Sequence, residues 1–237
     1  HTAALHVTVD RGPPFRFGAR DVTGLQKYSE SLVRNLVTFA PGESYTAEAL
    51  QIFLRRLNGS GYFASAQATV EAEPSQADAA PVHLRLIEAP EKKISAGAGF
   101  STDTFYRAQL SYDDFNIDRN GLRFHPDIDA QAKIQSATLR LTLPPRVPQY
   151  TDTYSANVAH TDISGLRTNE FTAGWKRKTA AERDQISYGI AFYASQQMPT
   201  NAESANAHAL FFEYGRTWRN VDDLLSPTRG YAVNAQI

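Results

Sequence analysis

The chain has 237 residues, 42% of them hydrophobic, with 24 basic against 25 acidic side chains and a formal charge of -1. At roughly 150 residues per domain this length divides unevenly, and the charge balance gives no global electrostatic case for nucleic-acid binding. The absence of cysteine excludes disulfides, thiolate nucleophiles, Fe–S clusters and thiolate zinc sites, and no run approaches the ~18 apolar residues of a transmembrane helix.

Leu5 to Val9 alternates apolar and polar residues until Gly12-Pro13-Pro14 breaks the pattern, and Phe15 to Val22 reads as a second short strand ending at Gly24. From Ser29 to Ala40 the positions Leu32, Val33, Leu36 and Val37 recur at helical spacing, with Ser29 as N-cap and Pro41-Gly42 as the stop. A second helix is capped by Thr46, carries Glu48 at its positive start and buries Leu50, Phe53, Leu54 and Leu57, ending at Asn58-Gly59. Ala66 to Glu71 and Val82 to Glu88 read as strands, joined by the aperiodic loop Ala72 to Pro81. The first part is thus strand, helix, helix, strand, strand.

After Pro90 a period of two takes over. The apolar phases are Ile94 to Phe100; Tyr106 to Tyr112; Leu122 through Phe124, Ile128, Ala130 and Ala132 to Ile134; Leu139 to Leu143; Tyr154 to Val158; Phe171 to Trp175; Ile186 to Phe192; Leu210 to Tyr214; and Tyr231 to Ile237. These make nine strand candidates with polar or small residues on the other phase, such as Asp127, Asp129, Gln131 and Lys133. Turn signals at Asn120-Gly121, Pro144-Pro145, Ser164-Gly165, Pro199-Thr200-Asn201 and Pro227 separate many of them, which describes a hairpin meander. Two solutions fit: a soluble antiparallel sandwich, or a membrane barrel with an apolar outside and a polar lumen. Strand length, repetition and the 13 Phe, 11 Tyr and 2 Trp in a chain of mean hydropathy -0.41 favour the barrel.

Side-chain chemistry is sparse. No two of the histidines at 1, 6, 83, 125, 160 and 208 have metal-helix spacing, and no nucleophile elbow, P-loop or dinucleotide fingerprint occurs. The adjacent carboxylates Asp113-Asp114 and Asp222-Asp223 point to opposite faces if they lie on strands, which argues against convergence. Lys176, Arg177 and Lys178, with Arg183, make the most basic cluster and read as a solvated strand end at headgroup level. The chain reads as non-enzymatic, with no cofactor.

Phe15-Arg16-Phe17-Gly18 through Thr23-Gly24, Pro41-Gly42-Glu43-Ser44-Tyr45, and Leu57-Asn58-Gly59-Ser60-Gly61-Tyr62-Phe63 together resemble a POTRA domain, a polypeptide-transport-associated repeat. Ile94 to Thr104, Phe171-Thr172-Ala173-Gly174-Trp175 and Asp222-Asp223-Leu224-Leu225-Ser226-Pro227-Thr228-Arg229-Gly230 resemble the barrel half of the outer-membrane assembly-factor (bacterial surface antigen, D15) family, and within it the TamA-like branch. The resemblance implies an α+β POTRA domain of β-α-α-β-β order followed by an antiparallel meander forming about half of a transmembrane β-barrel. Residues 1–13 would be the end of a preceding POTRA repeat or a linker, 14–90 the POTRA domain, and 91–237 about nine strands of a sixteen-stranded barrel, so that the chain would be a fragment. Thr228-Arg229-Gly230-Tyr231 superficially matches the family's late-loop Arg-Gly-aromatic motif, but its position fits a mid-barrel turn.

The implied function is outer-membrane protein assembly or translocation without catalysis, in the Gram-negative outer membrane with the POTRA domain in the periplasm. Expected partners are unfolded outer-membrane proteins or autotransporters, an inner-membrane-anchored periplasmic partner of TamB type, and the lipid bilayer, with no nucleic acid. A two-partner-secretion translocator pore and, from another class, a soluble β-rich binding or adhesin protein are the alternatives. Two backbone sites would carry the work. One is the edge strand Ala66, Gln67, Ala68, Thr69, Val70 and Glu71, open to β-augmentation. The other is the first barrel strand, with Ile94, Gly97, Gly99 and Phe100, where glycine weakens pairing at a lateral seam.

Overall fold

The computed structural model describes residues 13–71, 73–102, 105–146, 150–179, 181, 183–222 and 226–237. The alternating segment Leu5 to Val9, His1, His6, Asp103, Thr104, Asp223, Leu224 and Leu225 lie outside the described residues. Contacts divide the chain into two units between Ala89 and Pro90.

The first unit runs β1 (Phe17–Thr23), α1 (Glu30–Leu36), α2 (Ala47–Gly59), β2 (Phe63–Val70) and β3 (Ala80–Glu88). Its sheet has the order β1-β3-β2, with β1 parallel and β2 antiparallel to the central β3. Alternation along β3 sends Val82, Leu84 and Leu86 into the core, where they meet Leu32, Val33 and Leu36 of α1 and Phe53 and Leu57 of α2. Thr46 caps α2 as its sequence position requires, its hydroxyl accepting from the Ala49 N–H at 3.1 Å.

Three local expectations are corrected. The first helix stops at Leu36, short of Ala40, because Val37 is extended and Phe39 turns inward to stack on Phe17 with ring centroids 3.8 Å apart. Strand β2 begins at Phe63 and not at Ala66, since Tyr62 and Phe63 are core residues, and it ends at Val70, so Glu71 lies just past it. The loop from Ala72 to Pro81 contains a 3₁₀ turn, Pro74–Ala79, which proline at its start favours.

Glu88 ties the end of β3 to the segment before α1. Its carboxylate accepts from the backbone N–H groups of Gln26, Lys27 and Tyr28 at 3.0–3.1 Å. Partial burial pushes this carboxyl up, but the hydrogen bonds from Gln26, Tyr28 and Lys27 outweigh it and hold it below the ordinary 4.5.

The second unit is a nine-stranded antiparallel meander in which every strand pairs with its sequence neighbour. Its strands are β4 (Lys92–Ser101), β5 (Phe105–Asp114), β6 (Arg123–Gln131), β7 (Ile134–Thr142), β8 (Tyr150–Ile163), β9 (Leu166–Thr179), β10 (Asp184–Pro199), β11 (Ala205–Val221) and β12 (Gly230–Gln236). The Ser164-Gly165 signal forms a two-residue hairpin with positive φ at both positions, 54° and 81°, as a type I′ turn requires. Each strand candidate corresponds to one strand, with one correction. The apolar run from Leu122 to Ile134 is broken after Gln131, and Ile134 opens β7 opposite Thr161, on the polar phase of the sheet. β4 and β12 are the two ends of the sheet, which is not closed.

Candidate functional site

Register aligns the apolar phases across the sheet. Pro126, Leu139, Ala156, Ala173, Phe192 and Leu210 form one continuous cross-strand row, each paired to the next. This face is open: Ile94 is 71% exposed, Phe100 78% and Phe212 72%. Such a contiguous apolar surface is costly in water and calls for an apolar phase.

The opposite face is hydrophilic, and its polar groups bond across strands. Arg107 reaches Asp129 at 3.2 Å, His125 reaches Asp113 at 2.6 Å, Tyr193 donates to Glu170 at 2.8 Å, and Lys176 meets Glu213 at 3.0 Å. Gly189 stands in register between Lys176 and Glu213, and a Cβ there would lie 2.8 Å from Glu213 Oε1 and 2.6 Å from the Trp175 carbonyl. Glycine at that position lets the ion pair pass over a strand.

Alternation splits the basic cluster. Lys176 and Lys178 lie on the polar face, while Arg177 lies with Trp175 on the apolar face, at the end of the sheet where β4 begins. There Arg177 makes a two-pronged contact with Asp152 at 2.7 and 2.8 Å and stacks 3.9 Å over Tyr150, and Trp175 Nε1 donates to Asp152 at 3.1 Å. Arg216 repeats the arrangement with Asp184 at 2.7 and 2.8 Å, and Trp175–Tyr188 and Trp218–Tyr231 make edge contacts nearby. Paired charges among Tyr and Trp at one level of an apolar face have the composition of a membrane-interface girdle. The spacing of single residues gave no sign of the two ion pairs, because their partners come from different strands.

Asp113 and Asp114 diverge as expected on a strand: Asp113 bonds His125, whereas Asp114 accepts from Tyr112 at 3.0 Å. Asp222 lies in the β11–β12 connection and accepts from the N–H groups of Thr228 and Arg229 at 3.0 Å, placing Thr228 to Tyr231 in that turn and the start of β12.

Ala66 to Val70 lie in β2, an edge of the three-stranded sheet whose single neighbour is β3. Gln67 and Thr69 face solvent, Ala66 is buried, and Ala68 and Val70 are half-buried against the core. Glu71, beyond the strand, donates its N–H to the Pro81 carbonyl at 3.3 Å and approaches His83 Nε2 at 3.2 Å. Asn58, legible in the sequence only as a helix terminator, touches this edge: its Oδ1 accepts from the Ala66 N–H at 2.9 Å.

In β4, Ile94 and Phe100 lie on the apolar face, paired with Tyr112 and Tyr106, and Gly97 and Gly99 on the polar face, opposite Gln109 and Arg107. A Cβ on either glycine would meet no atom within 4 Å, so among the described residues crowding does not demand glycine there.

Residues 15–89 match the family model described as POTRA, surface antigen variable number repeat. No curated protein sequence matches the chain. Among solved structures, BamA from Haemophilus ducreyi lacking POTRA domains 1–3 is similar with a TM-score of 0.69 at 12% identity, over 96% of this chain and 48% of that one. CdiB from Acinetobacter baumannii is similar with a TM-score of 0.65 at 12% identity, over 94% of this chain and 46% of that one. The chain thus spans about half the length of each, and at this identity the likeness is one of fold. The architecture is a POTRA domain followed by an antiparallel meander that matches half of the barrel in these structures.

Proposed function

We propose that the protein assembles or translocates outer-membrane proteins: the POTRA domain receives unfolded chains in the periplasm through the edge Ala66 to Glu71, and the barrel guides their strands into the bilayer along β4. The observation that carries this reading is the exposed apolar face of the nine-stranded sheet, backed by a hydrogen-bonded polar face. A soluble adhesin would have to cover that face, whereas lipid covers it directly. Pairing of strand edges and burial of apolar side chains supply the driving force, so the mechanism needs no catalytic residue or cofactor. Within this class we favour a TamA-like role, with autotransporters among the substrates and a TamB-type periplasmic partner. A two-partner-secretion translocator is the second reading, favoured by the fold likeness to CdiB.

The seam gives the test. A Cβ at Gly97 or Gly99 meets no atom within 4 Å, so valine can be introduced there, and it stiffens the strand, since β-branched residues favour it and glycine weakens it. In vesicles carrying the protein, an unfolded eight-stranded barrel protein used as probe is expected to reach its protease-resistant form faster than in empty vesicles. The Gly97→Val, Gly99→Val double variant should lose much of that acceleration while its own heat-modifiable migration is unchanged. Equal rates with and without the protein would overturn the function, and full acceleration by the double variant would overturn the seam.

A further inference from the structure

We propose that Asn58 is a latch on the free edge of β2, occupying the place an incoming strand would take at Ala66 and confining first contact to Ala68–Val70. The inference rests on the reading of that edge as the docking site for extended, unfolded chains.

The geometry is that of a surrogate strand. Asn58 sits one residue before the end of α2, and its Nδ2 donates to the Leu54 carbonyl at 3.0 Å, which anchors the amide on the helix. From there Oδ1 accepts from the Ala66 N–H at 2.9 Å and Nδ2 approaches the Ala66 carbonyl at 3.3 Å. A carboxamide carries the same donor and acceptor as a peptide group, so one side chain satisfies both backbone groups of Ala66 as a neighbouring strand would.

Alternation then shows what remains. In an antiparallel pair, residues facing the partner with both backbone groups alternate with residues facing away. Ala66 faces away from β3 toward Asn58, and the Glu71 N–H reaches back to Pro81 at 3.3 Å on the opposite phase. Ala68 and Val70 therefore turn their N–H and C=O groups to the open side, where no described residue pairs with them. Two residues offer only a short ladder, while opening Ala66 extends it toward Ser65. Asn58 is exposed, so its amide has room to swing away. The arrangement blunts an edge that would otherwise recruit any extended chain, and it makes longer pairing conditional on displacing one side chain.

The chain has no cysteine, so single cysteines at Ser65, Gln67 or Thr69 report pairing without background. The probe is a synthetic peptide with the sequence of Asp184 to Gln196 and a terminal cysteine, and the reading is the rate of disulfide formation with the whole protein. With Asn58 present, Thr69→Cys should react faster than Ser65→Cys. Asn58→Ala should raise the Ser65→Cys rate about tenfold, equivalent to about 1.4 kcal/mol, and leave Thr69→Cys nearly unchanged. Asn58→Asp, which keeps the acceptor and loses the donor, should fall between and guards against a folding defect in the alanine variant. Hydrogen exchange of the Ala66 amide, measured without peptide, should accelerate in Asn58→Ala. Equal rates at Ser65 and Thr69 with Asn58 in place, or a Ser65 rate indifferent to Asn58, would overturn the latch alone. No reaction at any of the three positions in any variant would overturn the docking edge and the latch with it.

Discussion

Arginine in place of Phe212 is expected to destabilise the folded sheet in lipid by about 2–4 kcal/mol, whereas arginine one residue earlier, at Phe211, should cost about 1 kcal/mol. The two side chains are identical and adjacent, and both are exposed, by 72% and 54%. What separates them is phase. Phe212 pairs with Ile190 on the apolar face, and Phe211 pairs with Ala191 on the polar face, where its ring makes an edge contact with Tyr193 at 6.3 Å. A cation at Phe212, in the middle of β11, has no water to hold it. At Phe211 it loses one aromatic contact and gains a hydrated surface. Urea titrations of the protein in phosphatidylcholine vesicles, followed by the fluorescence of Trp175 and Trp218, measure both. Equal costs would mean that the two faces meet the same solvent.

Glu88→Gln is expected to remove about 1–2 kcal/mol from the POTRA domain at neutral pH. The loss is modest because the carboxylate is partly exposed and water replaces some of what is removed. Three consecutive N–H groups converge on it, and an amide oxygen accepts more weakly than a carboxylate. The sign follows from the lowered folded-state pKa: the contribution is present above the unfolded value near 4.5 and disappears as pH falls through the lower folded value. Melting curves of wild type and Glu88→Gln should therefore differ at pH 7 and converge in acid, once pH has fallen through the lowered folded-state value. A difference that persists into that acid range would assign the effect to shape and not to charge.

Most of the architecture was legible because it rests on two periodicities. The i, i+3, i+4, i+7 stripe Leu50, Phe53, Leu54, Leu57 marks α2, and the period-two phases mark all nine strands of the meander. Legibility failed where a tertiary contact decides. Phe39 ends α1 by stacking on Phe17, and Ile134 continues an apolar run across a turn and then falls on the polar phase. The two edges proposed to do the work were legible as backbone, in that β2 and β4 stand at sheet edges. Their side-chain furniture was not. Asn58 touches Ala66 only after the helix folds over the sheet, and the Asp152–Arg177 pair joins two strands across a turn, so no local pattern announces either.

The even-numbered face of β11 is expected to meet lipid and the odd-numbered face to meet water. Single cysteines at Ala207 through Tyr214, labelled with an environment-sensitive fluorophore in vesicles, test it directly. Quenching is expected by bromine on the lipid chains at His208, Leu210, Phe212 and Tyr214, and by aqueous iodide at Ala207, Ala209, Phe211 and Glu213. Iodide quenching of equal strength at all eight positions would contradict it and return the sheet to water.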